Sequence, residues 1–481
     1  MSSAADAEQQ LQEPLLLQVA EEEHSTATRV VHNKESSGQA ELYQHAPASS
    51  GEVPVSDSLV SPVLNLSCTI IGSGIIALPK SFQVLGMILG GAVVLSVALL
   101  SYFSIGGLIR ASIRTHAHTY SGVVRRFFGR SGSSILRLTM ILNCGGILIV
   151  YMVMICDILV GNEADGFGGV LPSLFGVHKQ GSFVTSRSSV LAAVLLTILG
   201  PVASIREMNS VSVTSAVGLV SVLYLVLSIT ILCTVAAVED KLSTSWTWLP
   251  KLDSLGRDVS DAVLQIVATV PVIMNAFICH QSVHPVMEQV RPLTEARMDT
   301  VLTCSLVLCC AFYVLSSASA YAVFGAKTQS DVLQNFTVEA MRELLPPVAA
   351  TFVGYSVRLV FSVALMMAFP LSHFTYRDSL CEFIWGERAC RLSTPRFFGI
   401  TTAGLAVFYL LAITLPNIWL PLAVIGSTAG VTVAFVFPSL LMLTMDSHTI
   451  WRQVVGACLL ASGLTVSISG LISTFYPLLK G

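Results

Sequence analysis

Ile70-Ile71-Gly72-Ser73-Gly74-Ile75-Ile76-Ala77-Leu78-Pro79 lies inside an apolar run spanning residues 60–82. A run of that length crosses a hydrocarbon core of about 30 Å as a helix, and a lipid-facing helix must bond every peptide group internally. Two glycines at mid-depth and a proline a turn later let the helix break there at little cost. A break frees N–H groups at the start of the second half-helix, where the positive end of its dipole can hold a carboxylate. The sixth apolar run, 259–280, carries Val267-Ala268-Thr269-Val270-Pro271-Val272-Ile273-Met274-Asn275, with a proline at similar depth. Interruption of the first and sixth runs, five apart, is the pattern of an inverted repeat around a midplane site. Gly72 and Gly74 taken alone could equally serve close helix packing; the pairing with Pro271 favours a site.

Outward from these segments, the 481 residues are 53% hydrophobic and 11% charged, against roughly 25% charged in a soluble domain. That excludes a soluble globular enzyme. The charges are unevenly placed: residues 1–57 hold ten acids and two bases, and 58–481 hold nineteen acids and twenty-four bases. Segment 1–57 reads as a disordered acidic tail, because its Ser, Ala, Glu and Gln cannot bury enough apolar surface to offset ordering. Leu15-Leu16-Leu17 is too short and too acidic in its flanks for a cleavable signal peptide. Glu13-Pro14-Leu15-Leu16 loosely resembles an acidic dileucine signal, through which the tail would bind sorting adaptors.

Eleven apolar windows fit membrane spans: 60–82, 85–109, 134–160, 188–204, 211–238, 259–280, 300–324, 350–372, 396–416, 418–443 and 454–476. The expected fold is therefore an all-α polytopic membrane protein with eleven transmembrane helices in lipid. Residues 58–481 form its transmembrane domain, as a five-plus-five inverted repeat of about 60–238 and 259–443 plus an extra helix at 454–476. Helices 1 and 6 are the interrupted ones. With a cytosolic N-terminus, fourteen arginines collect on the cytosolic side, Arg125, Arg126, Arg137, Arg206 and Arg388 among them, against eight Lys and Arg opposite. The positive-inside rule favours that orientation, which puts Gly481 on the far side. The segment 118–131 mixes Tyr120, Phe127 and Phe128 with Arg125, Arg126 and Arg130, and reads as lying along the cytosolic membrane face rather than binding nucleic acid. Nine cysteines fall in spans as small packing residues, and Cys381 and Cys390 fall in a polar loop, where they read as inert thiols rather than as sites of acylation near the membrane. Asn335-Phe336-Thr337 is a sequon on the non-cytosolic side.

The string Val63-Leu64-Asn65-Leu66-Ser67-Cys68-Thr69 through Gly72-Ser73-Gly74 to Pro79 resembles the first-span signature of the amino acid/auxin permease family. Ile278-Cys279-His280-Gln281-Ser282-Val283-His284, Val357-Arg358-Leu359, Phe369-Pro370, Gly426-Ser427-Thr428-Ala429 and Phe435-Val436-Phe437-Pro438 extend the likeness over residues 60–476. The chain is most similar to the plant-type vacuolar amino acid exporter branch, beside the system A and system N neutral amino acid carriers. The resemblance implies amino acid transport, eleven spans and a vacuolar (or lysosomal) membrane, with the plasma membrane as the alternative. It implies that the backbone of Thr69, Ile70, Ile71, Gly72, Ser73 and Gly74 meets the substrate's carboxylate, with Thr269 and Pro271 of span six on the substrate's other side.

Sodium-coupled members carry an asparagine four residues before the first glycine, and a hydroxyl residue ahead of the Phe-Pro element. Here those places read Cys68 and Leu365-Met366-Met367-Ala368. Thiol and thioether are poor ligands for a hard cation, so a proton gradient or uncoupled exchange is expected rather than sodium coupling, with no cofactor and no metal. Intramembrane ionisable groups are the natural proton sites. Asp157 and His280 are the candidates, although Asp157 could instead pair with Arg358, and His280 and His284 could be satisfied interfacial histidines. Lys80 could meet an acidic substrate side chain or snorkel to the interface. Asn143, Tyr151, Asn275 and Ser362 read mainly as interhelical hydrogen-bonding groups. Neither His-Glu-x-x-His nor Gly-x-Ser-x-Gly occurs, so a membrane hydrolase is not expected. A sodium-coupled plasma-membrane symporter, or an amino acid sensor signalling through its tail, are the competing functions.

Overall fold

The computed structural model describes residues 58–72, 74–162, 167–176, 182–206, 212–255, 258–415, 418–445 and 449–480. The expected acidic tail with its dileucine, Ser73 and Gly481 lie outside the described residues. Among the described residues the chain is helical, apart from loops and one antiparallel ladder in which Gly161–Asn162 pairs with Phe167–Gly168. Among the described residues nine helices are long and apolar enough to cross a membrane, and Val60–Ile71 and Arg187–Ala203 are shorter apolar helices. This is the architecture of an all-helical polytopic membrane protein.

The elements run α1 (Val60–Ile71), α2 (Gly74–Thr115), α3 (Tyr120–Leu159), α4 (Arg187–Ala203) and α5 (Ser212–Val238). They continue as α6 (Val259–Ala276), α7 (Val283–Met287), α8 (Glu295–Phe324), α9 (Pro347–Ile384), α10 (Thr394–Thr414), α11 (Trp419–Met445) and α12 (Ile450–Lys480). Helix α2 is two helices joined at Gly86, whose φ of 77° and ψ of 172° lie in a region open only to glycine. The joint leaves N–H groups without helical partners, and those of Met87 and Ile88 donate to Thr247 O at 3.0 Å and Trp248 O at 2.9 Å. A second joint at Gly129 (φ 67°) separates the basic and aromatic arm that starts at Tyr120 from the part of α3 carrying Asn143, Tyr151 and Asp157.

Helix α9 runs to Ile384, well past the expected end at 372, so Cys381 sits in its last turns rather than in a polar loop. The extension is held by Arg377, which is buried and donates to Ala203 O at 2.7 Å and Ile205 O at 2.9 Å, supplying partners to the C-terminal end of α4. Cys381 then packs with Ala389, Leu392 and Phe397. Helix α11 contains two π segments, Gly426–Gly430 and Thr432–Val436. Wide turns of this kind release carbonyls; Val433 O accepts from Tyr120 Oη at 2.8 Å, and Ala434 O accepts from the Ser104 hydroxyl.

Helix α3 packs chiefly on α9, and α2 on α8 and α6. In lipid no hydrophobic force drives helices together, so close fit decides. Small residues supply it: a Cβ on Gly107 would stand 2.6 Å from Met442 Cγ, and one on Gly146 would stand 2.3 Å from Ile425 Cδ1.

Candidate functional site

Helix α1 stops at Ile71, Gly72 turns with φ 21° and ψ −141°, and α2 starts at Gly74. The second interruption is displaced from the expected one. Pro271 stays inside α6, which ends at Ala276 and resumes in helical form only at His280. A single missing N–H is tolerated where neighbours brace the helix, and Pro271 is braced: a Cβ on Gly426 would meet its carbonyl oxygen at 2.3 Å, and one on Gly470 would meet its ring at 2.6 Å. The two interruptions meet. A Cβ on Gly74 would lie 2.4 Å from Ala276 Cβ and 2.7 Å from Ala276 Cα. The Tyr313 hydroxyl of α8 stands 2.8 Å from both Ile70 O, in the last turn of α1, and Ala276 O, at the end of α6, while Phe277 packs edge-on against its ring.

A cavity of about 60 Å³ opens beside this junction. Cys68, Thr69, Ile70, Gly72 and Gly74 line it from the first interruption, and Asn275, Ile278, Gln281 and Ser282 from the second. Tyr151 and Ile147 of α3 and Met367, Ala368, Ser372 and Thr375 of α9 close it. Tyr151 Oη would lie 3.3 Å from a Cβ on Gly72, so it covers the turn. No Asp, Glu, Lys or Arg lines this cavity among the described residues. What the walls offer is peptide dipoles, hydroxyls and two carboxamides, which suit a net-neutral zwitterion.

Of the residues expected at the site, Ile71 is buried without lining the cavity. Thr269 turns its hydroxyl to Ile266 O at 2.7 Å, and Pro271 faces α11 and α12 rather than the cavity. Tyr151 and Asn275, read from sequence mainly as hydrogen-bonding groups between helices, line it instead. Depth along a span was legible; which side of the helix faces inward was not, because α6 is apolar around most of its circumference at that level. Asn143 and Ser362 do not line it.

A larger cavity, about 460 Å³, adjoins the first and shares Gln281, Ser282, Leu371 and Thr375 with it. This vestibule is charged: Arg137 Nε meets Glu382 Oε2 at 3.1 Å, and Arg388 Nε meets Asp378 Oδ2 at 3.4 Å. His284 is on its wall, whereas His280 lines neither cavity. The opposite end of the bundle holds the buried charged groups Asp157, Asp331 and Arg358. Asp157 pairs there with Arg187 of α4, not with Arg358. Arg358 donates instead to Ile158 O at 3.1 Å and Gly168 O at 2.7 Å. Lys80 Nζ donates to Thr328 O at 3.1 Å, tying α2 to the loop after α8.

That loop carries two groups whose surroundings were not legible. Asn335 of the sequon is buried, donates from Nδ2 to Lys327 O and accepts from Gln329 N, both at 2.9 Å, so its side chain ties the loop together. Asp331 is 1% exposed, its Oδ1 accepts from Leu333 N at 2.8 Å, and its Oδ2 has no partner among the described residues. Burial pushes its carboxyl from the ordinary 3.8 up to about 7, against the Leu333 N–H, with Asp157 adding to the rise and Arg358 opposing it. A raised carboxyl holds its proton more tightly in the fold than in the unfolded chain. Stability is therefore greatest below about pH 4 and declines as pH climbs towards 7, by up to roughly 4 kcal/mol from this group. Asp331→Asn should flatten that part of the pH dependence of the thermal midpoint; equal slopes in variant and parent would show that the buried carboxyl is not its source.

Residues 56–478 match the family model described as transmembrane amino acid transporter protein. The chain belongs to this family. It is a family of transporters, not of enzymes. Among its relatives in Arabidopsis thaliana, amino acid transporter AVT6A is 32% identical, covering 81% of this chain and 82% of its own. Amino acid transporter AVT6B is 31% identical over 88% and 91%. Amino acid transporter AVT6E is 29% identical over 86% and 83%. The match to the transporter family thus reaches every one of the described helices.

Proposed function

We propose that this protein is a secondary active transporter that moves amino acids by alternating access, driven by protons and independent of sodium, from the vacuole to the cytosol. The observation that carries the reading is the junction of two interrupted helices at a cavity without charged side chains. A substrate carboxylate is held by N–H groups of the Gly72 to Gly74 turn, and its ammonium by carbonyls on the other side of the cavity. The chain crosses the membrane eleven times in this reading: α1 with the first part of α2 makes one crossing, and the remainder of α2 after Gly86 makes the next. The first five and the following five crossings form the inverted repeat, and α12 is the extra helix. The vestibule faces the cytosol, supported by Arg137, Arg206 and Arg388 on its walls. A vacuolar membrane is what the likeness to the exporter branch implies.

Sodium independence is supported by the residues at the positions that carry oxygen ligands in sodium-coupled members. Cys68, Met367 and Ala368 face the cavity, and Gly218 of α5 presents no side chain toward the Cys68 sulfur. One proton moved down a gradient supplies about 1.4 kcal/mol per pH unit, enough for roughly tenfold accumulation. Uptake of a labelled amino acid into proteoliposomes is expected to be unchanged when sodium is replaced by potassium, and its steady-state accumulation to rise about tenfold per unit of imposed pH gradient. Strict sodium dependence would overturn the coupling; saturable binding without flux would overturn transport and favour a sensor.

A further inference from the structure

Helix α2 ends at Thr115, just ahead of Tyr120 on the vestibule wall, and α8 starts at Glu295, shortly after Glu288 on the same wall. The two helix ends therefore lie at the vestibule end of the bundle, and on its outer face there two cavities join. One, of about 130 Å³, has Arg110 of α2 and Trp451 and Arg452 of α12 on its walls. The other, of about 300 Å³, has Arg110 again, with Glu295 and Asp299 from the first turns of α8. Tyr102 and Arg110 belong to both cavities. Together they make one groove with two arginines towards one end and two carboxylates towards the other. The Tyr102 hydroxyl donates to Asp299 Oδ1 at 2.7 Å, which links α2 to α8 and fixes that carboxylate. The Arg110 guanidinium folds back over Gly106, where a Cβ would lie 3.5 Å from one of its terminal nitrogens, and Gly106 lines the groove. No residue of the groove lines the vestibule or the central cavity.

Below the groove the same helix faces turn apolar. Leu95, Leu99 and Tyr102 follow the helical spacing that places side chains on one stripe of α2, and both leucines are 58% exposed. Asp299, Thr303 and Val307 form the matching stripe of α8, and Val307 is 64% exposed. Seven or eight residues of helix cover about 10–12 Å. The charged groove thus caps two apolar stripes that run from the end of the bundle towards the middle of the bilayer. Trp451 at its rim is exposed, and tryptophan is a residue that settles at headgroup depth.

A molecule that fits this arrangement has a negative group beside a positive one at its head and fatty chains at its tail. A phosphate diester suits guanidinium forks, which bind its oxygens in pairs. An ammonium two methylene groups away brings three N–H donors to the carboxylates. A choline head has the charge without the N–H groups, a glycerol head has no cation for the carboxylates, and a serine head adds an anion that they repel. We propose that the groove between α2, α8 and α12 binds phosphatidylethanolamine, its phosphate on Arg110 and Arg452, its ammonium on Glu295 and Asp299, and its chains along Leu95, Leu99 and Val307. An occupied groove ties three helix ends together and so stabilises the folded chain.

The test is the thermal midpoint of the full chain in nanodiscs of phosphatidylcholine, with phosphatidylethanolamine or phosphatidylglycerol added up to about 30 mol%. Phosphatidylethanolamine is expected to raise the parent's midpoint saturably, by about 3 °C, and phosphatidylglycerol by less than half as much. Glu295→Gln, a change at an exposed side chain, should lose at least half of the gain from phosphatidylethanolamine while keeping the parent's midpoint in phosphatidylcholine alone. Arg452→Gln should lose the gain from both added lipids. An effect of the lipid on the bilayer as a whole would persist in the variants, so an undiminished gain in Glu295→Gln overturns the proposal, and does so even if Arg452→Gln fails to fold. No gain in the parent overturns it too, as does a larger gain with phosphatidylglycerol, which would make the groove a site for anionic heads. Since the groove shares no residue with either cavity, none of these failures touches the transport reading.

Discussion

Gly74→Val should reduce transport at least a hundredfold while the chain still inserts in the membrane. A Cβ at this position would stand 2.4 Å from Ala276 Cβ and 2.7 Å from Ala276 Cα. The second of these is backbone and cannot swing aside, so the two interrupted helices must separate by about an ångström. Overpacking of this kind costs about 1–3 kcal/mol in stability, which a large helical bundle survives. A displacement of that size between groups that jointly hold a substrate costs roughly a hundredfold in rate. Flux per reconstituted molecule is the measurement, with Gly74→Ala expected to fall between parent and valine. Gly91→Ala is the control, since a Cβ on Gly91 meets nothing within 4 Å, and its flux should match the parent. Normal flux through Gly74→Val would mean that the junction is not where substrate is held.

Arg358→Met should cost about 3–5 kcal/mol of stability, the range for breaking a buried charged network by removing one partner. Arg358 is 1% exposed in α9 and bonds two carbonyls, Ile158 O at the end of α3 and Gly168 O in the short ladder. It is also the cation that opposes Asp157 beside the Asp331 carboxyl. Methionine fills much of the volume but leaves both carbonyls without this donor and the carboxylates without this cation. The thermal midpoint in detergent should drop by several degrees. Measured at a pH well above 7, where the Asp331 carboxyl is ionised, adding Asp331→Asn to Arg358→Met should restore part of the loss, because it removes one of the charges left behind. A midpoint within a degree of the parent would show that the arginine is dispensable to the fold.

The first interruption was legible because its signal is local: Gly72 adopts a positive φ that disfavours other residues, and glycine twice at mid-depth is hard to read otherwise. The second was not. Phe277-Ile278-Cys279 contains no residue that disfavours a helix, and the chain leaves the helix there because Tyr313 takes the Ala276 carbonyl and Phe277 packs on its ring. Pro271 drew attention to the right span at the wrong turn, and Thr269 was carried with it. The partner of Asp157 was equally a matter of tertiary structure; sequence offered Arg358, and the fold presents Arg187. Asp331 gave a faint local sign, an acid ahead of the apolar pair Val332 and Leu333 that caps a short helical turn through Leu333 N. An acid in a loop between spans nonetheless reads as solvated until the packing around it is known. Gly86 and Gly129 lay in or beside apolar runs whose hydropathy does not mark joints, so one read as ordinary span sequence and the other as part of a surface segment.

The Tyr313 hydroxyl owns a single hydrogen and stands equally close to two oxygens that both want it. Whichever carbonyl holds it, the other is left lacking, so the ends of α1 and α6 turn on a shared pin rather than on two separate ones. Tilting either helix end reassigns the hydrogen and is felt at once by its counterpart, although the two lie far apart along the chain. An event at one half-helix thereby becomes an event at both.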